Sequence, residues 1–121
     1  MPWFYSQRSG RIWRNNDEPI SAGYSGAPGA INDPTQQDKR NVGPIPRGVY
    51  RILQAETHQR LGPLTMRLIA DPGNEMFGRD LFAIHGDNAR RNQSASEGCI
   101  ILGPAAREEI SRSTDRTLVV L

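Results

Sequence analysis

The sequence predicts a mostly β fold, a sandwich or barrel of short strands with one short helix after the only cysteine. Three observations predict it. Twelve glycines and nine prolines cut the 121 residues into short pieces, the punctuation of a chain built from strands and turns. Between these breaks lie brief apolar runs of strand length. Only the stretch after Pro104 carries a helical pattern. One domain spanning residues 1–121 is expected, large enough to bury a core without a disulfide or a structural metal.

The elements follow in order. Residues 3–6 and 11–14 flank Arg8-Ser9-Gly10, a hairpin signal. Residues 19–24 form a candidate third strand. Residues 25–40 are polar and rich in Gly, Pro, Asn and Asp, so they form a long loop that is either a lid or substrate wall or disordered. The prolines of Gly43-Pro44-Ile45-Pro46-Arg47-Gly48 stiffen the entry to an alternating strand at 49–53. Residues 66–70 and 82–85 are further strands. Pro104 suits the first turn of a helix over 104–112 because that turn needs no N–H from it. Glu108 and Glu109 are read as lying near the helix's positive end. Residues 117–121 form an apolar strand expected to be central or buried. Trp3 and Trp13 are assigned to the core or a sheet face.

Composition excludes several functions. The net charge is only +2 and the arginines are scattered, which argues against a nucleic-acid stripe and for no nucleic-acid partner. A single cysteine and two histidines leave no Cys/His zinc cage, so no metal or other cofactor is expected. No apolar run approaches the ~20 residues of a transmembrane helix. The start, Met1-Pro2-Trp3-Phe4-Tyr5-Ser6, lacks the charged and apolar regions of a signal peptide. The chain is therefore expected to be made in the cytoplasm, with another system delivering it to any external substrate.

The chemistry centres on Cys99. It follows Ser94-Ala95-Ser96-Glu97-Gly98 and lies downstream of His85-Gly86-Asp87-Asn88. A free thiol of pKa about 8.5 is a poor nucleophile at neutral pH until a neighbouring base takes its proton. An imidazole can take that proton and return it to a leaving group, which suffices for acyl transfer through a thioester. The pair is expected to hold the sulfur as an anion. Core packing is the alternative for a lone cysteine before Ile100-Ile101-Leu102, but turn residues on both sides of the pair put Cys99 and His85 at strand ends. The N–H groups of Gly98 and Cys99 are the candidate oxyanion donors.

The order of these pieces resembles the YkuD-type L,D-transpeptidase domain. The resemblance rests on Pro46-Arg47-Gly48-Val49-Tyr50, Ile84-His85-Gly86, Ser96-Glu97-Gly98-Cys99-Ile100, the helix after Pro104 and Thr117-Leu118-Val119-Val120. A nearer likeness is to the small L,D-transpeptidase-like effectors of the type VI secretion system, carried by Trp3-Phe4-Tyr5-Ser6-Gln7, Gly23-Tyr24-Ser25-Gly26 and the run from Arg40 to Gly48. Where the broader pattern often has histidine before the glycine and arginine two places after the cysteine, this chain has Glu97 and Ile101. The resemblance implies a YkuD-like β-sandwich or barrel acting on peptidoglycan stem peptides, as L,D-carboxypeptidase, in D-amino-acid exchange or in cross-linking. It implies Cys99 as nucleophile, His85 as base then acid, and the Gly86 carbonyl as the acceptor that fixes the imidazole tautomer. It further implies secretion, action in the periplasm of a target bacterium and a cognate immunity protein in the producer.

The remaining candidates carry alternatives. Asp87 is either a rival orienter of His85 and a substrate contact, or a turn residue. Ser96 either shapes the nucleophile turn or is an ordinary turn serine. Tyr24 and Arg40 are candidate walls of the stem-peptide groove. Arg90 and Arg91 either meet substrate carboxylates or form a solvated loop tip. His58 is read as a surface-loop histidine. The competing functions are a non-catalytic β module binding wall peptides or a partner protein, a cysteine hydrolase of protein or isopeptide bonds, and a metal peptidase using His85, Asp87 and His58.

Overall fold

The computed structural model describes residues 2–14, 18–90 and 92–121. Its strands are β1 (Trp3–Tyr5), β2 (Arg11–Arg14), β3 (Ser21–Ala22), β4 (Tyr24–Ser25), β5 (Gly48–Ile52), β6 (Glu56–His58), β7 (Gly62–Ala70), β8 (Phe82–His85), β9 (Ile100–Ile101) and β10 (Thr117–Val120), with one helix α1 (Pro104–Arg112) between the last two strands. The fold is mostly β, as expected.

The sheet runs β3-β2-β1-β10-β5-β7-β8-β9-β4, with β6 added to β7. Its two ends, β3 and β4, are consecutive in the chain and separated only by Gly23. One stretch of backbone therefore pairs with β2 before Gly23 and with β9 after it, and the sheet curls into a nearly closed barrel. The expected single strand at 19–24 is these two short strands. A Cβ on Gly23 would lie 1.7 Å from the Ile101 carbonyl oxygen, so closure there needs glycine.

Alternation explains the core. Trp3 and Tyr5 of β1, Tyr50 and Ile52 of β5, and Leu118 and Val120 of β10 point inward and are buried, one face of each strand. Each full burial of such a side chain stabilises by about 1.5–3 kcal/mol. The hairpin of β1 and β2 forms as expected, with Trp3 opposite Arg14. Trp13 packs on the sheet's other side, stacked on Phe4 at 5.8 Å. β10 is central, parallel to β1 and antiparallel to β5. In α1, Ala106, Arg107 and Ile110 form the buried face. No acidic residue lies in its first turn, so Glu108 and Glu109 sit too far along the helix for the expected dipole contact.

Segment 26–47 is held by specific hydrogen bonds. Asp33 caps a 3-10 turn at Pro34–Gln36. Gln7, fully buried, donates to the Ile45 carbonyl and accepts from Arg47 Nε at 3.0 Å, tying the proline-rich segment to the barrel. No helix among the described residues is long and apolar enough to cross a membrane.

Candidate active site

β8 and β9 pair in parallel, Ile84 with Ile100 and His85 with Ile101. Ile84 and Ile100 are fully buried in the core. Side chains alternate along a strand, so His85 faces the side opposite Ile84. Cys99 immediately precedes β9 and stands two residues before Ile101, the partner of His85, so alternation directs it to the face that His85 takes. A parallel pair needs a crossover. Here the described residues of segment 86–99 contain no helix and build one wall of a cavity of about 550 Å³. Both Cys99 and His85 line that cavity, together with Gly86, Asp87, Gly98 and Arg40.

His85 Nδ1 donates to the Gly86 carbonyl oxygen at 2.8 Å. A carbonyl only accepts, so Nδ1 carries the proton and Nε2 keeps its lone pair. Burial pushes the imidazole below its ordinary value, the Gly86 bond opposes that shift, and the Arg107 guanidinium adds to it. Arg107 is itself buried, donating to the Leu102 and Pro63 carbonyls. Burial pushes the Cys99 thiol up, against a backbone hydrogen bond from Ala83 and the nearby charges of Arg60 and Arg79. Both shifts favour uncharged forms. These directions run against the anion expected for Cys99. The cost of stripping water from a buried charge outweighs the help of the surrounding arginines.

The nucleophile turn is held by hydroxyls. Ser96, almost fully buried, accepts from Gly26 N–H and Gly98 N–H at 3.0 Å each and donates to the Cys99 carbonyl at 2.6 Å. Its partners make it a brace for the turn. The Gly98 N–H is thereby engaged, which removes it from the expected pair of oxyanion donors and leaves that of Cys99. Ser25 Oγ donates to the Gly98 carbonyl at 2.7 Å and accepts from Ile45 N–H. Gly98 adopts φ 142°, and a Cβ there would lie 2.5 Å from Arg79 Nη2.

The Tlde1 domain family matches residues 20–119. The chain belongs to the Tlde1 domain family. That family is the type VI L,D-transpeptidase effector family, which implies secretion and a peptidoglycan substrate. The match begins after β1 and β2, yet β1 pairs directly with β10, so the leading hairpin is part of this Tlde1 sheet. Neither the curated proteins nor the solved structures yield a match.

The other expected residues divide within this Tlde1 domain. Arg40 and Asp87 line the cavity, and Arg40 Nη2 also donates to the Gly78 carbonyl. Asp87 accepts from Tyr24 Oη at 2.8 Å and from Asn88 N–H, so Gly86 rather than Asp87 engages His85. Tyr24 is buried and is not part of the lining. Burial and Asp87 push its hydroxyl up to about 12, and it joins the Asp87 turn to Ala95 N–H. Arg90 is exposed and outside the lining. Arg91 lies outside the described residues. Among the described residues no three His, Cys, Asp or Glu side chains are grouped to hold a metal ion.

Sequence reasoning missed Arg79. Its buried guanidinium donates to the carbonyls of Gln37, Pro44, Gly43 and Glu97 and lies 5.1 Å from the Phe82 ring centroid. It ties segment 26–47 to the turn beside Cys99. No local pattern marks it, because its partners are backbone atoms of distant segments. Arg60 and Leu81, also on the cavity wall, were missed as well.

Proposed function

We propose that the chain is a cysteine-dependent enzyme of peptidoglycan stem peptides, of the YkuD L,D-transpeptidase type, forming a thioester on Cys99. The observation that carries this reading is that Cys99 and a His85 whose Nδ1 is locked on Gly86 line one shared cavity. An imidazole fixed in that tautomer has Nε2 available as a base.

As Sγ attacks the amide carbon before the terminal D-alanine, Nε2 takes the thiol proton. The Cys99 N–H stabilises the developing oxyanion. The C–N bond then breaks, and the proton passes from His85 to the departing amine. D-Alanine leaves and the stem remains as a thioester. Water gives L,D-carboxypeptidase action, a free D-amino acid gives exchange, and the amine of a second stem gives a cross-link. A small secreted effector is served by the first two, which remove donors from wall synthesis in the periplasm of a target bacterium. A producer would need a cognate immunity protein.

Purified protein incubated with tetrapeptide muropeptides is expected to release D-alanine, and Cys99→Ala and His85→Ala are each expected to abolish release. Release that survives Cys99→Ala would overturn the proposal. Muropeptide binding with no release by the unaltered protein would favour the non-catalytic module.

A further inference from the structure

Arg107 is a buried cation with no structural need for its charge. It is 8 % exposed, and among the described residues no carboxylate pairs with it. A buried charge without a counter-charge is costly. Anchoring α1 does not call for one, since Ala106 and Ile110 on the same face pack by apolar contact. Hydrogen bonds to two carbonyls hold the guanidinium, from Nε to Leu102 at 3.0 Å and from Nη1 to Pro63 at 2.7 Å. Both partners lead back to His85. Leu102 N–H donates to the His85 carbonyl at 3.1 Å. Pro63 lies at the start of β7, the strand that pairs with β8 through Met66 and Ile84. The remaining nitrogen, Nη2, meets Gly86. A Cβ on Gly86 would lie 2.7 Å from Nη2 and 2.9 Å from Cζ, so the guanidinium fills the space that a side chain at 86 would take. Ile101, the partner of His85 on β9, is apolar and offers no polar group to hold that turn.

We propose that Arg107 is a positioning residue for His85, seating the Gly86 peptide so that its carbonyl receives Nδ1–H and Nε2 keeps its lone pair. The role deepens the reading of His85 as the base for Cys99 and rests on it. The Gly86 carbonyl is the ring's one hydrogen-bond partner among the described residues. It belongs to the next residue in the chain, so a modest rotation of the Gly86 peptide breaks the bond and releases the ring to its other tautomer. With the proton on Nε2, that nitrogen cannot take the thiol proton. A guanidinium suits the task because its planar fork bonds two carbonyls at once and still presents a third nitrogen to Gly86. Gly86 is glycine for the same reason: a larger residue would displace the fork.

Nitrogen NMR of protein labelled at histidine tests this, since it reads which ring nitrogen carries hydrogen. His58 is the internal reference. Its Nδ1 accepts from Arg60 N–H and Leu61 N–H at 3.1 Å, so its neutral ring is the opposite tautomer. In Arg107→Met the His85 signals are expected to move toward those of His58, which stay in place. In the same variant kcat for D-alanine release is expected to fall at least about tenfold with KM little changed, the mark of an interaction that serves the reacting state. Gly86→Ala, which pushes on the guanidinium from the other side, is expected to move the tautomer in the same direction, and adding Arg107→Met to it to cost little more. If Arg107→Met gives no cooperative melt, Gly86→Ala carries the test alone. A His85 ring that keeps hydrogen on Nδ1 in the folded variants would overturn the role of Arg107, while D-alanine release by the unaltered protein would still uphold the enzyme. The tautomer is read without substrate, so its shift supports the role of Arg107 even if no D-alanine is released.

Discussion

Replacing Ser96 by alanine removes the acceptor of two backbone N–H groups and the donor to the Cys99 carbonyl. Each buried group left unpaired costs about 1–3 kcal/mol, and the loss falls on the turn that aims the thiol. Ser96→Ala is expected to lower turnover at least about tenfold, measured as D-alanine release. A second residue-scale prediction concerns pH. The active pair needs His85 unprotonated, and its imidazole lies below the ordinary value. The acid limb of kcat/KM should therefore lie below the usual imidazole range. The thiol lies above its ordinary value, so alkylation of Cys99 by iodoacetamide should be slow at pH 6 and climb steadily into the alkaline range. Rapid alkylation at pH 6 would indicate a preformed thiolate and contradict these directions.

Among the elements, the nucleophile turn depends on the loop that Arg79 holds. Lysine offers one compact ammonium and cannot match the spread of four carbonyls that the guanidinium reaches. Arg79→Lys is expected to lose most turnover and to shift its pH profile, since Arg79 also acts on the thiol. Strand β8 and helix α1 were legible with their full bounds, because an apolar run ends in His-Gly and a proline opens the helix. Strand β7 was legible only from Met66 onward. Its first residues include Pro63 and Leu64 at φ 53°, which look like a loop by composition. β6 follows no alternation, and β9 is too short to leave a pattern. In the site, Cys99 and His85, which line one cavity, stand out in sequence because they sit in local motifs, and the Gly86 acceptor came from the family resemblance. Ser25 and Arg79 do not stand out, since their work is done on backbone carbonyls far away in the chain.

For the molecule as a whole, the pKa directions set where stability is greatest. His85 is harder to protonate folded than unfolded. Stability should fall as pH drops below the ordinary imidazole value, because the unfolded chain then binds the extra proton. Cys99 is harder to ionise folded than unfolded, so stability should also fall as pH rises above the ordinary thiol value. Melting temperature against pH is expected to peak between these limits, and His85→Gln should flatten the acid side. The leading hairpin tests closure of the barrel. Without residues 1–14, β10 loses its parallel neighbour β1 and the core loses Trp3, Tyr5 and Ile12. That truncated chain is expected not to fold, as judged by loss of a cooperative melt.

The central claim is a covalent acyl group on one sulfur. Intact-mass spectrometry of the protein quenched in acid during reaction with a tetrapeptide stem reads it directly. The account predicts a species heavier by the stem less its terminal D-alanine, mapped to the peptide containing Cys99 and lost in Cys99→Ala. D-Alanine release with no such adduct at any quench time, or an adduct on another residue, would contradict it.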